Sequence, residues 1–341
     1  MSSSQDLSRD WKIGITMGDP CGVGAEIIMQ ALAEAPARQR GHFIVFGHQP
    51  TLARAAALAG LDPVFATPDA PGPAGSIVVA DVALASTDWT DGQASAAGGD
   101  AAYRFIEAAV RACQAGVIDV IATAPLNKSA LHAAGHHFDG HTELLAHLTG
   151  SKKSFMLLAS DRLSAIHTTT HVALAEAIRR LNPARIVDTV VHADAHFREL
   201  GVARPRIAVA GLNPHCGENG IFGTEDIDHI VPAVRQCREM GLDVSGPISA
   251  DTVFHRALRG EFDVVVAHYH DQGHIPTKLV AFDETVNVSL GLPIRRVSVD
   301  HGTAYDIAWR GVANHRNMKA ALDYGARMLG QAPVFGEPAD A

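Results

Sequence analysis

The sequence is poor in lysine and cysteine and contains no long apolar run. Among 341 residues there are six lysines and four cysteines. The cysteines (Cys21, Cys113, Cys216 and Cys237) form no C-x-x-C pair, which argues against a disulfide framework or a thiolate zinc site and fits a reducing cytoplasm. No stretch reaches the about 18 to 20 apolar residues of a membrane span, and the polar segment Met1–Asp10 lacks the apolar core of a signal peptide.

Positive charge is also scarce, whereas histidine is abundant. With 28 Lys and Arg against 37 Asp and Glu, the formal net charge is −9, and no basic block occurs. This balance argues against nucleic acid or an anionic membrane as the main partner and favours a small molecule. The 19 histidines indicate a metal or proton-transfer site, although most of them are expected to be ordinary surface or core residues.

Short apolar runs alternate with longer segments of helical period, which predicts an α/β fold with buried strands. The predicted strands are Lys12–Met17, His42–Gly47, Ser76–Leu84, Asp119–Ala124, Phe155–Ala159, Leu163–Thr170, Arg206–Leu212, Asp263–His268 and Val297–Asp300. The predicted helices include one beginning near Ala25 and the segments Asp100–Gln114, Thr142–Thr149, Ala173–Arg180, Arg185–Leu200, Glu225–Met240, Ala250–Arg259 and Asn314–Leu329. Polar motifs recur at strand ends, so we expect an active site assembled in a cleft from distant segments.

Two polar motifs precede predicted helices. The loop Gly18-Asp-Pro-Cys-Gly-Val-Gly24 follows the first strand, and its glycine spacing fits neither a dinucleotide fingerprint nor a P-loop. It is either a tight turn or a set of backbone N–H groups that binds an anion. In Asp139-Gly-His-Thr-Glu143, helix capping explains Thr142 and Glu143 but not His141, which is a candidate for binding phosphate or carboxylate.

Three histidines each follow a strand-like stretch. They are His171, His215 and His270, and imidazoles that converge from separate strand ends can hold a divalent ion. Their spacing matches no local metal motif, so three unconnected loop histidines remain the alternative. Asp271, beside His270, could orient a ligand or bind the metal itself.

The last third of the chain carries a further group of cations and a polar loop. Lys278, Asn287 and Arg296 could clamp an anionic substrate, whereas Arg295 is expected to be a surface charge. The segment from Ser298 to Asn314 is dense in small and polar residues and fits neither a strand nor a helix. Such loops commonly carry function.

This polar loop carries a family resemblance. The string His301-Gly-Thr-Ala-x-Asp-Ile-Ala-x-x-Gly-x-Ala-Asn314 resembles the adenosine-binding loop of isocitrate and isopropylmalate dehydrogenases. Taken with Gly18–Gly24, Ala124-Pro-Leu-Asn-Lys128, Gly140-His-Thr-Glu143, Leu212-Asn-Pro-His215 and His270-Asp-Gln-Gly273, the chain from about Lys12 to Gly330 resembles the 4-hydroxythreonine-4-phosphate dehydrogenase family. That family includes 4-phospho-D-threonate and D-erythronate dehydrogenase paralogues.

The resemblance implies roles for individual residues. It implies metal ligation by His171, His215 and His270, with zinc, cobalt or magnesium as the ion. It implies substrate binding by His141, Thr142, Lys278, Asn287 and Arg296, and binding of NAD or NADP by His301, Gly302, Thr303, Ala304, Asp306 and Asn314. We assign catalysis to Lys278, the candidate proton carrier, and Asp271. Family members are homodimers with the site at the subunit interface.

The resemblance also implies a reaction and an architecture. A divalent ion lowers the pKa of the substrate hydroxyl, so that a base removes its proton as hydride passes to NAD. 4-Phosphohydroxy-L-threonine would give a β-keto acid that decarboxylates to 3-amino-2-oxopropyl phosphate. The alternative is 4-phospho-D-threonate or D-erythronate oxidation, leading to dihydroxyacetone phosphate. We expect an isocitrate dehydrogenase-like fold of two domains, 1–130 with 290–341 and 131–289, with the site in the cleft.

The sequence departs from the family pattern at one position, and two functions other than a dehydrogenase can also be considered. Trp309 stands where related loops usually have glycine, which puts a bulky ring beside the expected adenosine site and could alter NAD affinity or the choice of NADP. A metal-dependent phosphohydrolase could use the same histidines, but it would leave the His301–Asn314 loop without a purpose. A catalytically inert binding protein is disfavoured because all the expected ligands are present.

Overall fold

The structure is a computed structural model that describes residues 11–70 and 72–335. The chain divides into two compact α/β units. One unit runs to Ser151 and resumes at Pro293, and the other is Lys152–Leu292. Residues 131–151, which the sequence analysis assigns to the central domain, lie in the first unit. Within the described part of the chain, no helix is long and apolar enough to span a membrane.

The first unit is built around a parallel sheet. Its strands are β1 (Ile13–Thr16), β2 (Phe43–Gly47), β3 (Phe65–Ala66), β4 (Ile77–Asp81), β5 (Val120–Thr123) and β12 (Arg295–Val299). Their order is β3-β4-β2-β1-β5-β12, and every neighbouring pair is parallel. Strand order reverses beside β1, and ligands bind open α/β sheets at such points, outside the carboxyl ends of the strands.

Helices accompany this sheet. They are α1 (Gly24–Glu34), α2 (Ala37–Arg40), α3 (Gln49–Leu58), α4 (Ala96–Gln114), α5 (Lys128–Ala133), α6 (His141–Thr149) and α12 (Arg316–Arg327). The strands β1, β2 and β5 are buried along their whole length. This explains why they appear in the sequence as continuous apolar runs rather than as alternating patterns.

The second unit has a mixed sheet. Its strands are β6 (Phe155–Ala159), β7 (Ser164–His167), β8 (Ile207–Ala210), β9 (Val244–Ile248), β10 (Val264–Ala267) and β11 (Val286–Leu290), in the order β11-β6-β7-β10-β8-β9. The strands β7, β10, β8 and β9 are parallel, whereas β6 is antiparallel to both of its neighbours. The carboxyl ends of β7, β10 and β8 therefore lie side by side at one edge of the sheet.

The helices of the second unit are α7 (Leu174–Arg180), α8 (Pro183–Glu199), α9 (Val231–Glu239), α10 (Ala250–Leu258) and α11 (His270–Ala281). A π-helical turn, Asp226–Ile230, leads directly into α9. A tight helical segment, Pro214–Gly220, follows β8. Part of the apolar core consists of Ala208 and Val265 from strands, Val253 from α10, and Leu163 and Phe262 from the segments that precede β7 and β10.

Candidate active site

In the first unit, the glycine-rich loop after β1 supports the expected cofactor loop. The Val23 N–H donates to the Thr303 carbonyl at 3.0 Å. A Cβ on Gly22 would lie 2.7 Å from that same carbonyl oxygen, so only glycine allows this close approach. The Tyr305 hydroxyl donates to Asp19 Oδ2 at 2.5 Å. Two motifs that are 280 residues apart in sequence therefore form one packed element.

Backbone N–H groups of the glycine-rich loop donate to other groups of the protein. The Asp19 N–H donates to the Pro125 carbonyl at 2.9 Å, and the Gly22 N–H donates to the Asp19 carbonyl at 3.1 Å. The Cys21 N–H donates to Asp19 Oδ1 at 2.9 Å. Of the two interpretations that the sequence leaves open, the geometry favours the tight turn, because these donors are not available to an anion.

Trp309 contacts the glycine-rich loop and α3 through its side chain. Its backbone has φ of 62°, the left-handed region that favours glycine, which accounts for the glycine usual at this position in related loops. The indole Nε1–H donates to the Pro20 carbonyl at 3.0 Å, and the Arg54 guanidinium lies 4.0 Å from the ring centroid. Arg54 is itself in a two-pronged ion pair with Asp91.

The buried carboxylate of Glu26 holds the same stretch of loop. Glu26, in the first turn of α1, is 1% exposed. Its Oε1 accepts from the Trp309 N–H at 2.5 Å and its Oε2 accepts from the Gly311 N–H at 2.9 Å. Sequence reasoning missed this residue, because an acidic side chain in a first turn is normally a solvated partner of the helix dipole.

The expected cofactor residues differ in exposure. Thr303 is buried, and Ala304 has φ of 45° and accepts from the Ile307 and Ala308 N–H groups. His301, Gly302, Asp306 and Asn314 are exposed. A Cβ on Gly302 would meet no atom within 4 Å, and Asn314 Oδ1 accepts from the Arg316 N–H at the start of α12. The inner part of the loop, with Thr303 and Ala304, is thus fixed, and its outer part presents exposed polar residues. This arrangement fits a nucleotide ligand.

His141 and Arg296 form a cationic pocket in the first unit. Arg296 on β12 is 2% exposed and donates to Thr123 Oγ1 at 2.7 Å. Burial lowers the pKa of Arg296 to about 9, so its guanidinium stays charged at neutral pH. His141 opens α6, and its shielded Nε2 has no hydrogen-bond partner among the described residues. Thr142 follows it and is half-buried.

The electrostatics of this pocket favour an anion. Burial, and then the nearby Arg296 charge, hold the pKa of His141 well below its ordinary 6.5, against a hydrogen bond with the Ala124 backbone. His141 is therefore neutral at pH 7 and has an unused polar atom. Asp300 already interacts with the Arg296 charge, and an anion beside Arg296 would add a second negative group and offer the unpaired His141 ring nitrogen a partner.

In the second unit, the three candidate metal ligands follow the carboxyl ends of β7, β8 and β10. The rings of His171 and His270 have centroids 5.9 Å apart. The His270 Nδ1 pairs with Asp271 Oδ1 at 2.7 Å, which leaves Nε2 for a ligand. Within residues 11–70 and 72–335, no three His, Cys, Asp or Glu side chains are grouped closely enough to hold a metal ion.

His270 is supported by histidines that the sequence analysis did not select. The His274 ring stacks on His270 with centroids 3.6 Å apart and planes 13° apart. His167 lies 4.7 Å behind His274. Burial is the largest cause that lowers the pKa of His274 to about 3, and the neighbouring titratable groups His167 and His270 lower it further, so the ring is neutral. The i, i+4 spacing of His270 and His274 is the one sequence signal that could have revealed this pair.

Lys278 shares the helix face of His270 and His274. The three residues are spaced i, i+4, i+8 on α11, and Lys278 is half-buried. Asn287 is half-buried on β11, opposite Leu158 of β6. Asp271 lies on the neighbouring face, and its side chain is 70% exposed. The geometry thus keeps Lys278 beside the candidate ligands of its own helix.

Comparison with known proteins gives a consistent result. The profile of the family described as "Pyridoxal phosphate biosynthetic protein PdxA" matches residues 39–325. A D-threonate 4-phosphate dehydrogenase of Cupriavidus necator is 46% identical over 321 residues, covering 93% of this chain and 96% of the relative. A 4-hydroxythreonine-4-phosphate dehydrogenase of Geobacter metallireducens is 47% identical over 326 residues, covering 93% and 95%.

A solved structure agrees. A crystal structure titled as 4-hydroxythreonine-4-phosphate dehydrogenase from Klebsiella pneumoniae superimposes with a TM-score of 0.84 at 44% identity. The match covers 93% of this chain and 99% of that one. At this identity and coverage, the α/β fold and the order of motifs along the chain are those of that group of enzymes.

Proposed function

Because the chain belongs to the pyridoxal phosphate biosynthetic protein PdxA family, as its motifs predicted, we propose that it oxidises the 3-hydroxyl of a 4-phosphorylated hydroxy acid. The chain is a dehydrogenase of that type, and the β-keto acid formed by the oxidation would then lose CO2. The cationic pocket of His141 and Arg296 is the observation that carries this proposal. A buried arginine beside an unpaired histidine nitrogen suits a phosphate or carboxylate group.

The pocket residues have separate tasks in this proposal. Arg296, held by its hydrogen bond to Thr123, supplies positive charge at neutral pH. His141 supplies a neutral donor or acceptor at the start of α6, where the helix dipole also favours an anion. Thr142 adds a hydroxyl in the same turn. Lys278 and Asn287, on α11 and β11, are further proposed substrate-binding residues.

We propose that His171, His215 and His270 hold a divalent ion (zinc, cobalt or magnesium). The histidines fit the group, because His270 keeps Nε2 free by pairing Nδ1 with Asp271, and His171 lies beside it. When bound, the ion would supply charge that lowers the pKa of the substrate hydroxyl. Asp271 orients His270, and Lys278 accepts or returns the substrate proton from the adjacent position on α11.

A second copy of the chain completes this metal site. Two of the three ligands are neighbours in one chain, and no group of three forms within its described residues. The helix that begins at His270 also exposes an apolar stripe, with Ile275 63%, Leu279 84% and Phe282 72% exposed. Apolar side chains at i, i+4 and i+7 are typical of a face that packs on another protein surface. The homodimer thus explains both observations.

NAD or NADP is the proposed electron acceptor, and it would take up the hydride. The exposed rim of the cofactor loop, with His301, Gly302 and Asp306, would contact it, while Thr303 and Ala304 fix the base of the loop. The four cysteines are free thiols, which supports placing the enzyme in the reducing cytoplasm.

Two substrates of this class differ in one group beside the carboxylate. We place D-threonate 4-phosphate first, because that name belongs to the Cupriavidus relative and to a Salmonella typhimurium relative at 45% identity. Its oxidation and decarboxylation give dihydroxyacetone phosphate, CO2 and NADH. 4-Phosphohydroxy-L-threonine is the second candidate because the Geobacter relative carries that name, and it would give 3-amino-2-oxopropyl phosphate.

Substrate comparison tests the reaction. NADH absorbance is followed with D-threonate 4-phosphate, D-erythronate 4-phosphate and 4-phosphohydroxy-L-threonine, each with NAD+ or NADP+ and with zinc, cobalt or magnesium. We expect reduction of the nucleotide with at least one of these substrates, and a kcat/KM preference that identifies which one the enzyme uses. Release of inorganic phosphate without NAD+ would instead indicate a phosphohydrolase.

Mixing two inactive variants tests the shared site. His171→Ala and His215→Ala each remove one proposed ligand, so each homodimer should lose activity. If His171 and His215 of one site come from different subunits, heterodimers formed from the two variants contain one site with all three histidines, and the mixture should regain part of the wild-type activity. Leu279→Glu should shift the protein to a monomer in sedimentation. Activity that survives in His215→Ala would remove that residue from the site.

A further inference from the structure

The segment after β8 adopts a backbone conformation that L residues rarely hold in succession. The six residues that follow Pro214 all have positive φ, in the left-handed region: His215 (φ 51°), Cys216 (54°), Gly217 (81°), Glu218 (42°), Asn219 (55°) and Gly220 (95°). Only glycine enters this region without steric cost, and such conformations persist where the surroundings impose them. Four of the six residues are not glycine, so this turn must be held by contacts outside it.

The buried carboxylate of Asp226 supplies such contacts at the entry to the turn. Asp226 is fully buried, at the start of the π-helical turn. Its Oδ1 accepts from the Leu212 N–H at 2.9 Å, and its Oδ2 accepts from the Asn213 N–H at 3.0 Å. One side chain thereby fixes the two peptide groups that lead into the left-handed run.

Close packing around Gly211 leaves the turn little freedom at this point. A Cβ on Gly211 would lie 2.7 Å from Cys216 Sγ and 3.1 Å from Asp226 Oδ1. Cys216 and the Asp226 carboxylate therefore both pack beside Gly211. His215, which precedes Cys216, is exposed, so the packed side of the turn is fixed while this imidazole faces outward.

We propose that Asp226 is a positioning residue that holds the left-handed turn and thereby presents His215 to a divalent cation. The inference rests on the proposed function, in which His215 is a metal ligand. Residues that orient metal ligands typically change metal affinity by about 10 to 100-fold when they are replaced. Asp226 acts through the backbone of the turn rather than by contact with the ion.

The chain offers a matched control. Asp228 lies two residues further along the same π-helical turn and is exposed. Asp226→Asn keeps the shape of the side chain but replaces one acceptor by an NH2 group, which then faces a backbone N–H. Asp228→Asn makes the same chemical change in solvent. A comparison of the two variants separates loss of the Asp226 hydrogen bonds to the Leu212 and Asn213 N–H groups from loss of one negative charge.

Two measurements on the full chain test the proposal. Co2+ binding is titrated calorimetrically and by visible absorption, and amide hydrogen exchange is followed across residues 211–220. We expect Asp226→Asn to bind Co2+ at least tenfold more weakly than wild type and to exchange faster in this segment, with unchanged circular dichroism. Asp228→Asn should match wild type in both. Co2+ affinity within twofold of wild type in Asp226→Asn would overturn the proposal, whatever the exchange rates.

A suppressor distinguishes positioning from a general structural role. Glu218 is non-glycine at φ 42°, so Glu218→Gly removes a steric cost of the left-handed turn. Added to Asp226→Asn, this change should recover several-fold in Co2+ affinity, and no recovery would contradict the proposal. His215→Ala separates the two hypotheses. If it binds Co2+ as wild type does, the metal assignment fails, whereas if it loses binding and Asp226→Asn does not, only the positioning role fails.

Discussion

Trp309 differs from the glycine usual in related loops, but the loop keeps the backbone conformation that glycine favours. The loop keeps the left-handed conformation for which glycine is usual, with φ of 62°. Contacts of the indole with the Pro20 carbonyl and with Arg54 offset the steric cost. From the sequence alone, the ring appeared as an intrusion into the cofactor site. In the structure it is packed, and we therefore expect its main effect on stability rather than on the reaction.

We expect the usual order of stability of alanine and glycine variants to be reversed at position 309. Alanine normally stabilises relative to glycine, but here Trp309→Ala keeps a Cβ in the left-handed region, which costs roughly 1 to 2 kcal/mol. Trp309→Gly avoids that cost, and both variants lose the indole contacts equally. We expect Trp309→Gly to be the more stable of the two by about 1 kcal/mol in urea unfolding. A more stable Trp309→Ala would show that the backbone at 309 is not constrained.

His141 and Arg296 were predicted as candidates from residue type, but their coupling was not. Sequence reasoning identified a histidine that capping did not explain and an arginine near the polar loop. It could not show that Arg296 is 2% exposed and fixed by Thr123, or that burial, together with this charge, lowers the pKa of His141. Both facts depend on β5, β12 and α6 meeting at one place, which no local pattern encodes.

Thr123→Val tests the fixing of Arg296. Valine fills the same volume but cannot accept the guanidinium N–H, so the arginine loses one partner that holds it in the pocket. We expect KM for the phosphorylated substrate to rise about tenfold, equivalent to 1.4 kcal/mol, with kcat changed by less than twofold. Initial-rate kinetics measure both. A fall in kcat at constant KM would place Thr123 in the chemical step instead.

At the scale of elements, nine of the twelve strands in the described part of the chain were predicted within three residues, whereas β3, β9 and β11 were not. Two further features that shape the second unit were also not predicted. Helix α11 contains Gly273 and Pro276, both of which oppose a helix in local propensity. The left-handed turn after β8 contains only two glycines and has no sequence signature. Both are imposed by tertiary contacts, which override local preference, and both present candidate metal ligands.

The glycine of α11 is required by its neighbour rather than by the helix. A Cβ on Gly273 would lie 2.3 Å from His167 Nε2 and 2.8 Å from Cε1, and His167 is buried. We expect Gly273→Ala to lower the free energy of unfolding by about 1 to 3 kcal/mol, the range for overpacked cores, although alanine favours helix. Gly325→Ala in α12 is the matched control, because its nearest atom is the Ile13 Cδ1 at 3.1 Å. Equal effects in chemical denaturation would contradict this account.

At the scale of the whole molecule, neutral histidines make stability depend on pH. In the unfolded chain His141 has a pKa near 6.5, and in the folded protein its pKa is lower, mainly through burial. Below pH 6.5 the unfolded state therefore binds a proton that the folded state does not, and the free energy of unfolding falls as the pH falls. The stabilisation is complete above pH 6.5.

His141→Gln should flatten this dependence. Denaturant titrations from pH 7.5 to 5 should show a smaller loss of stability in His141→Gln than in wild type. His147→Gln, an exposed position on the same helix α6, is the control and should keep the wild-type slope. Identical slopes in all three proteins would mean that His141 is not buried neutral.

We expect the buried Arg296 to let the protein bind small anions despite its net charge of −9. A ligand that binds only the folded state stabilises it by RT ln(1 + [L]/Kd), about 2.7 kcal/mol at a hundredfold excess over Kd. Inorganic phosphate, a fragment of the proposed substrate, should therefore raise Tm in wild type at constant ionic strength. Arg296→Leu removes the charge that phosphate would offset, so its Tm should not respond, and sodium chloride should not raise Tm in either protein. An equal phosphate effect in both would place the anion site elsewhere in the molecule.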